Sequence, residues 1–362
     1  MRLTTHVLAL VTATALLALP ACAASTADKA AVVRAAIENH IRPAYTAFRD
    51  ATGTLETAMT ALCKAPGEPP LQAARDAFAG TVEAWSFIEF VQFGPVREDN
   101  RLEKILFYPD RRGIGLRQIQ GLLAKPAPGA LDGGAMAQKS AALQGLPALE
   151  FVLFGSGASD LAGEPAGDWR CRVGAAIAAN LHRMAGDLVA GWAAGSETVR
   201  LLTHPGDGNP LYASQDEAVA AILKVMPNGY ELIAETRIAP FLGETPADAR
   251  PKAAIWWRSG LTAAALRQDF LGLEALAGNS DALRHLDYEE RYAVRNLDFE
   301  TQSAVGFLDK LDRPAHEAAA TRQGHDLLVL AEQGASHLNK LAKTGILGGY
   351  GLAAGFSSLD GD

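Results

Sequence analysis

The sequence predicts an all-α protein built as two four-helix-bundle-like domains. Three observations carry that expectation. Alanine is abundant, while β-branched runs and alternating apolar–polar stretches are hard to find, so helices outcompete strands. Apolar residues recur at helical spacing through much of the chain. Without its leader the chain still exceeds what one hydrophobic core usually organises, and the turn-rich run His204-Pro205-Gly206-Asp207-Gly208-Asn209-Pro210 breaks the pattern in mid-chain. The expected division is an export signal over 1–25, a first domain over 26–202, a linker over 203–212 and a second domain over 213–362.

Taken in order, the first segment reads as a leader rather than as structure. Arg2 supplies the positive end, Val7 to Leu19 the apolar stretch, and Ala21-Cys22-Ala23-Ala24 the small-residue cleavage zone. Export to the periplasm or outer membrane follows. Two processing routes stay open: Leu19-Pro20-Ala21-Cys22 approximates a lipobox that would acylate Cys22, and Ala21-Cys22-Ala23 suits ordinary signal peptidase. No later run approaches the ~18 consecutive apolar residues of a membrane span, so the membrane is reached only through a lipid at Cys22.

The formal charge of the chain is −8. Losing Arg2, the only formal charge in residues 1–21, leaves 32 basic against 41 acidic residues, a balance of −9 that disfavours nucleic acid as a partner. Besides Cys22, only Cys63 and Cys171 are present. In an oxidising compartment such a pair is most simply a disulfide, with free thiols or zinc ligands as the weaker readings.

In the first domain, Asp28 is expected to cap a helix to about Arg49, followed by a shorter one through Cys63. Pro69-Pro70 opens a longer helix to about Gln92, with Phe78, Val82, Trp85 and Ile88 on one face. Residues 93–112 form an irregular connection rich in charge, of a length that suggests function. Short helices are expected at Gly113–Leu123 and Ala135–Leu143, and a long one from Asp168 to about Glu197. Past the linker, amphipathic helices are expected at Ser214–Ile238, Trp257–Ala277, Asp298–Leu311 and Pro314–Thr344.

The stretch Gly145-Leu146-Pro147-Ala148-Leu149-Glu150-Phe151-Val152-Leu153-Phe154-Gly155 places a lone carboxylate in an apolar helix. Pro147 suits its first turn and Gly155 its end. Glu150 is then either a rim carboxylate favoured by the helix dipole or a group aimed into a cleft.

This stretch resembles the signature of the imelysin-like proteins, secreted bacterial proteins whose motif reads Gly-x-His-x-x-Glu followed by an apolar run and an aromatic-Gly pair. Gly145, Glu150 and Phe154-Gly155 match, and Pro147 stands at the His position. The resemblance extends through Phe93-Gly94-Pro95-Val96-Arg97-Glu98-Asp99-Asn100-Arg101, Phe107-Tyr108-Pro109-Asp110-Arg111-Arg112-Gly113, Asp168-Trp169-Arg170-Cys171 and the tail Gly355-Phe356-Ser357-Ser358-Leu359-Asp360-Gly361-Asp362. It implies two related helical bundles, an internal duplication to which the matching Leu116-Arg117-Gln118 and Leu266-Arg267-Gln268 add little. It also implies a role in bacterial iron uptake, or the metallopeptidase activity attributed to the namesake.

Enzyme signatures are sparse. His316-Glu317 begins like a zinc-peptidase helix, but Ala320 stands where the second His is needed. No nucleophile elbow or phosphate loop is present. His285 and Glu289 are a weak candidate pair. The polar cluster around Arg97, Asp99, Asn100, Arg101, Asp110 and Arg111 is either an internal salt-bridge network, able to neutralise Glu150, or part of a site. In the second case Glu150, Asp99 and Asp110 offer oxygens to iron or another divalent or trivalent metal. Arg258, Ser259 and Asp360 would complete the site between the domains. With Pro147 removing one ligand, the expectation is a non-enzymatic protein binding a metal ion or an iron-uptake component of the cell envelope. A metallopeptidase and a structural envelope protein are the alternatives.

Overall fold

A computed structural model describes residues 24–353 apart from 164, 166 and 167. Residues 1–23, where the export signal is expected and which include Cys22, and the tail bearing Asp360 lie outside the described residues. Among the described residues the regular structure is entirely helical. The first half runs α1 (Thr26–Ala36), α2 (Arg42–Lys64), α3 (Glu68–Ser86), α4 (Arg101–Ile105), α5 (Ile114–Ala124), α6 (Leu146–Phe154), α7 (Trp169–Gly191) and α8 (Glu197–Thr203). The second runs α9 (Gln215–Leu223), α10 (Val225–Leu232), α11 (Ala239–Leu242), α12 (Thr262–Asn279), α13 (Tyr288–Val294), α14 (Leu297–Asp309), α15 (Ala315–Ala318) and α16 (Arg322–Leu341).

The start of the fold differs from the sequence expectation in a way that its chemistry explains. Ser25, not Asp28, caps α1; Asp28 sits three residues on and completes a capping box with it. A π turn over Ile37–Ile41 links α1 to α2, so that Pro43, which has no N–H to give, falls where the ordinary hydrogen-bond ladder is already interrupted. From there α2 runs unbroken to Lys64. Gly53 does not end it, because the glycine admits the His182 ring of α7, which lies 3.1 Å from where a Cβ would stand. The same device recurs in the second half, where a π turn over Ile233–Ile238 precedes Ala239-Pro240.

Three further expectations are corrected. The long helix after Pro69-Pro70 ends at Ser86, and tight turns follow. Residues 135–143 are 3₁₀ turns rather than an α-helix, consistent with the glycines at 133 and 134 just before them. The helix expected from Trp257 begins only at Thr262, since Trp256 and Gly260 both take positive φ and turn the chain. The helix α13 was not anticipated, although Asp287 and Glu290 form a capping box at its start.

Helices α2, α3 and α7 pack together in the first half, and α10, α12, α14 and α16 in the second. Cys63 and Cys171 are bridged, tying the end of α2 to the start of α7 with their Cα atoms 5.5 Å apart. The halves meet closely. A contiguous apolar cluster runs from Val32 in α1 to Tyr350 near the end of the described chain. Helix α12 lies against the end of α3 at Gly272, where any Cβ would fall onto the Phe87 carbonyl oxygen.

A buried ion pair also crosses this join. Arg237 donates two hydrogen bonds to Glu89 Oε1, at 2.8 and 3.1 Å, with both side chains almost fully enclosed. Its guanidinium lies 5.0 Å from the Tyr108 ring centre. Asp269 stands beside the pair, and burial together with the neighbouring Glu89 pushes its carboxyl well above the usual carboxylate range.

Replacing both bridged cysteines by serine should keep the helical content and lower unfolding stability by roughly 2–5 kcal/mol in urea titrations. Arg237→Met should cost about 3–5 kcal/mol by the same measurement, since it strands the Glu89 carboxylate without a counter-charge.

Candidate functional site

The site begins with α6. Gly145 stands at its N-cap against the 104–105 segment, where a Cβ would collide with the carbonyl oxygens of Lys104 and Ile105. This glycine is a close-approach residue. Pro147 occupies the first turn, and Glu150 follows one turn in. Instead of sitting on a rim, Glu150 is 3% exposed.

Its carboxylate is held from the second half of the chain. Oε1 accepts the Ser259 backbone N–H at 3.0 Å and lies 2.8 Å from the Ser259 hydroxyl. Oε2 lies 4.0 Å from an Arg258 guanidinium nitrogen. The positive counterpart of Glu150 is therefore Arg258 and none of Arg97, Arg101 or Arg111. The 256–261 turn that delivers these groups depends on the positive φ of Trp256 and Gly260, +59° and +74°. Arg258 is itself fixed by rings, its guanidinium 4.4 Å from the Trp257 ring centre and 5.4 Å from that of Phe151. Burial pushes the Glu150 carboxyl above its ordinary 4.5, and the Ser259 hydrogen bonds and Arg258 pull the other way.

A cavity of about 660 Å³ opens against this group. Of the residues singled out from the sequence, Asp110, Arg111, Pro147, Glu150 and Arg258 line it, and Ser259 stands behind Glu150. Asp110 is structural, because its two oxygens accept the N–H groups of Ile114, Gly115 and Leu116 and so close the start of α5. Asp99, Asn100 and Arg101 are not among the lining residues. Asp99 and Asn100 take left-handed backbone conformations, at φ +52° and +54°. Arg101 holds that loop by donating to the Pro95 carbonyl and Glu98, with Asp99 at 3.6 Å and Asp187 of α7 at 3.7 Å.

The three carboxylates expected to share a cation are thus in three separate settings. Among the described residues no three His, Cys, Asp or Glu side chains gather as a metal-holding group. Asp110 has both oxygens on backbone N–H groups, Glu150 gives Oε1 to Ser259 and faces the Arg258 guanidinium with Oε2, Asp99 is exposed beside Arg101, and Pro147 offers no ligand atom. The donor set does not fit a resident metal ion. His316 lies in a helix of four residues, and His285 is 2.9 Å from Asp28 rather than paired with Glu289.

Sequence reasoning missed Arg250, Lys252, Glu235 and the aromatic walls Tyr108 and Trp257 as lining residues. The run Trp256-Trp257-Arg258-Ser259 carries a detectable signal, since two consecutive indoles beside an arginine are an uncommon run. Arg250 and Lys252 carry none. They reach the cavity only because the 3₁₀ turn over Pro251–Ala253 is folded beside it.

The comparisons with known proteins follow the fold. The family model described as imelysin matches residues 41–341. No curated protein matches the chain. An imelysin-like protein from Psychrobacter arcticum 273-4 superposes with a TM-score of 0.74 at 19% identity, over 92% of this chain and 98% of its own. A putative iron-regulated protein A precursor from Parabacteroides distasonis ATCC 8503 gives 0.67 at 14% identity, over 89% of this chain and 97% of its own.

The raised pKa of Glu150 has a measurable sign. Between 4.5 and the folded value, the folded chain binds more protons than the unfolded one, so its stability falls as pH rises through that window. Glu150→Gln removes this loss. The stability difference between Glu150→Gln and wild type should shift in the variant's favour as pH rises above 4.5, in urea titrations run across the range.

Proposed function

The chain belongs to the imelysin family, and we propose that it is a non-enzymatic binding protein of the bacterial cell envelope that serves iron uptake. The reading places it, exported by residues 1–25, in the periplasm or at the outer membrane through a lipid on Cys22. Its ligand occupies the cavity beside Glu150. What supports this is one observation above all: the family's motif carboxylate is buried, and it is clamped by Ser259 and Arg258 at the wall of a cavity of ligand size. The iron connection rests on the family and on a structural neighbour described as a putative iron-regulated protein A precursor.

The metallopeptidase reading asks for more than this site offers. Metal-assisted hydrolysis uses typically three protein ligands with an open position for water. Pro147 stands where the motif has a histidine, and Glu150 holds Oε1 on Ser259 and Oε2 against the Arg258 cation. A purely structural envelope role leaves the cavity and its enclosed arginine without a purpose.

Mature protein isolated from its native envelope without chelators should carry a small ligand, seen by native mass spectrometry and metal analysis, and Glu150→Ala should reduce its occupancy by about tenfold or more. The same preparation should cleave no peptide in a chelator-sensitive way. Proteolysis that chelators stop and Glu150→Gln abolishes would restore the peptidase.

A further inference from the structure

Resting on the binding-protein reading, we propose that the cavity takes a small organic anion bearing two or more carboxylates, free or wrapped around an iron ion, rather than a bare cation. The charge on its walls carries this. A chain of net charge −8 gathers Arg111, Arg250, Lys252 and Arg258 around one cavity, against Asp110, Glu150 and Glu235. Two of those acids are already answered, Asp110 by backbone N–H groups and Glu150 by Ser259 and Arg258. Only Glu235 is left to set against the rim cations. Among the described residues the side chains of Arg111 and Arg250 form no ion pair and no hydrogen bond, and that of Lys252 meets only the Trp257 ring, at 5.7 Å. The local field therefore attracts anions and repels a bare metal ion.

Arg258 gives the field a direction. Its side chain is 19% exposed, stacks on Trp257 and makes no hydrogen bond to any described residue. A guanidinium held in place with its hydrogen-bond donors unmet, its one counter-charge Glu150 Oε2 standing 4.0 Å away, is a prepared fork for a carboxylate, and binding there loses little side-chain freedom. Phe151 and Trp257 supply an apolar face for the body of the ligand. The volume of about 660 Å³ lies in the range of small-molecule pockets and far exceeds the needs of one ion. A carboxylate chelate would bring iron with its coordination sphere filled by the chelator, which removes the need for protein ligands.

Isothermal titration calorimetry of the mature chain with citrate, ferric citrate, inorganic phosphate and a bare divalent metal salt tests this. The double variant Arg250→Ala/Lys252→Ala serves as comparison, since both side chains are exposed and their loss leaves the fold intact. Citrate or ferric citrate should bind, more weakly as salt rises, and about tenfold or more weakly in the double variant. Preference for ferric citrate over citrate identifies the chelate as the ligand, and equal binding identifies the free anion. Inorganic phosphate should bind far more weakly than either. Polycarboxylate binding that is unchanged in the double variant overturns the inference. Binding of the bare metal alone overturns it too, and leaves the binding-protein reading standing. If none of the probes binds and the envelope-purified protein is ligand-free, both fall.

Discussion

Charge buried at the join between the two halves has to be answered across that join, and much of the structure is arranged around this constraint. Glu89 and Glu150 both come from the first half of the chain, and their partners Arg237, Arg258 and Ser259 all come from the second. A carboxylate taken out of water and left alone costs several kcal/mol, whereas one met by well-placed donors is tolerated. The halves can slide or part only by exposing or stranding these groups. Close packing at Gly272 against Phe87 reinforces the same register, because neither helix can move toward the other without a collision.

The candidate cavity is a product of that join. Its walls come from the 107–111 connection, α6, the π turn before Pro240 and the 250–258 loop, which neither half supplies alone. Tyr108 connects the two buried charge groups: its ring lies under Arg237, its hydroxyl is 3.1 Å from the Ala253 carbonyl oxygen, and it lines the cavity. The loop that presents Arg258 is thereby held from the side of the Glu89–Arg237 pair as well as by Glu150. Specificity in such a place comes from fixed polar groups in an otherwise apolar setting.

The family motif acquires separate physical meanings, position by position. Gly145 is required by the nearness of two carbonyl oxygens, a packing demand. Glu150 is the clamp between the halves. Pro147 begins the helix and lines the cavity, and its ring removes a ligand atom without disturbing the fold, since a helix's first turn has no use for that N–H. The chain therefore keeps the scaffold of the motif while its site offers donors and cations where a metal centre would need acceptors.

The sequence by itself determined the helical class and the cysteine bridge, and it singled out Glu150 for attention, because these are set by local pattern and by scarcity: helical spacing of apolar residues, a single leftover thiol pair, one acid in an apolar run. It did not show that the 93–112 connection holds a 3₁₀ segment and the helix α4. It could not determine the helix ends at Ser86 and Thr262 or the continuity of α2 through Gly53, since those depend on what packs alongside. Nor could it tell that Asp110 would cap α5 while Asp99 stayed at the surface, for the two acids look alike when read along the chain. Tertiary structure alone decided that Glu150 is buried against residues more than 100 positions away, and that Arg250 and Lys252 turn a patch read as oxygen-rich into a cationic cavity. The physical reason is that burial and electrostatic sign are properties of neighbours in space, and local periodicity carries no record of which distant segment will supply them.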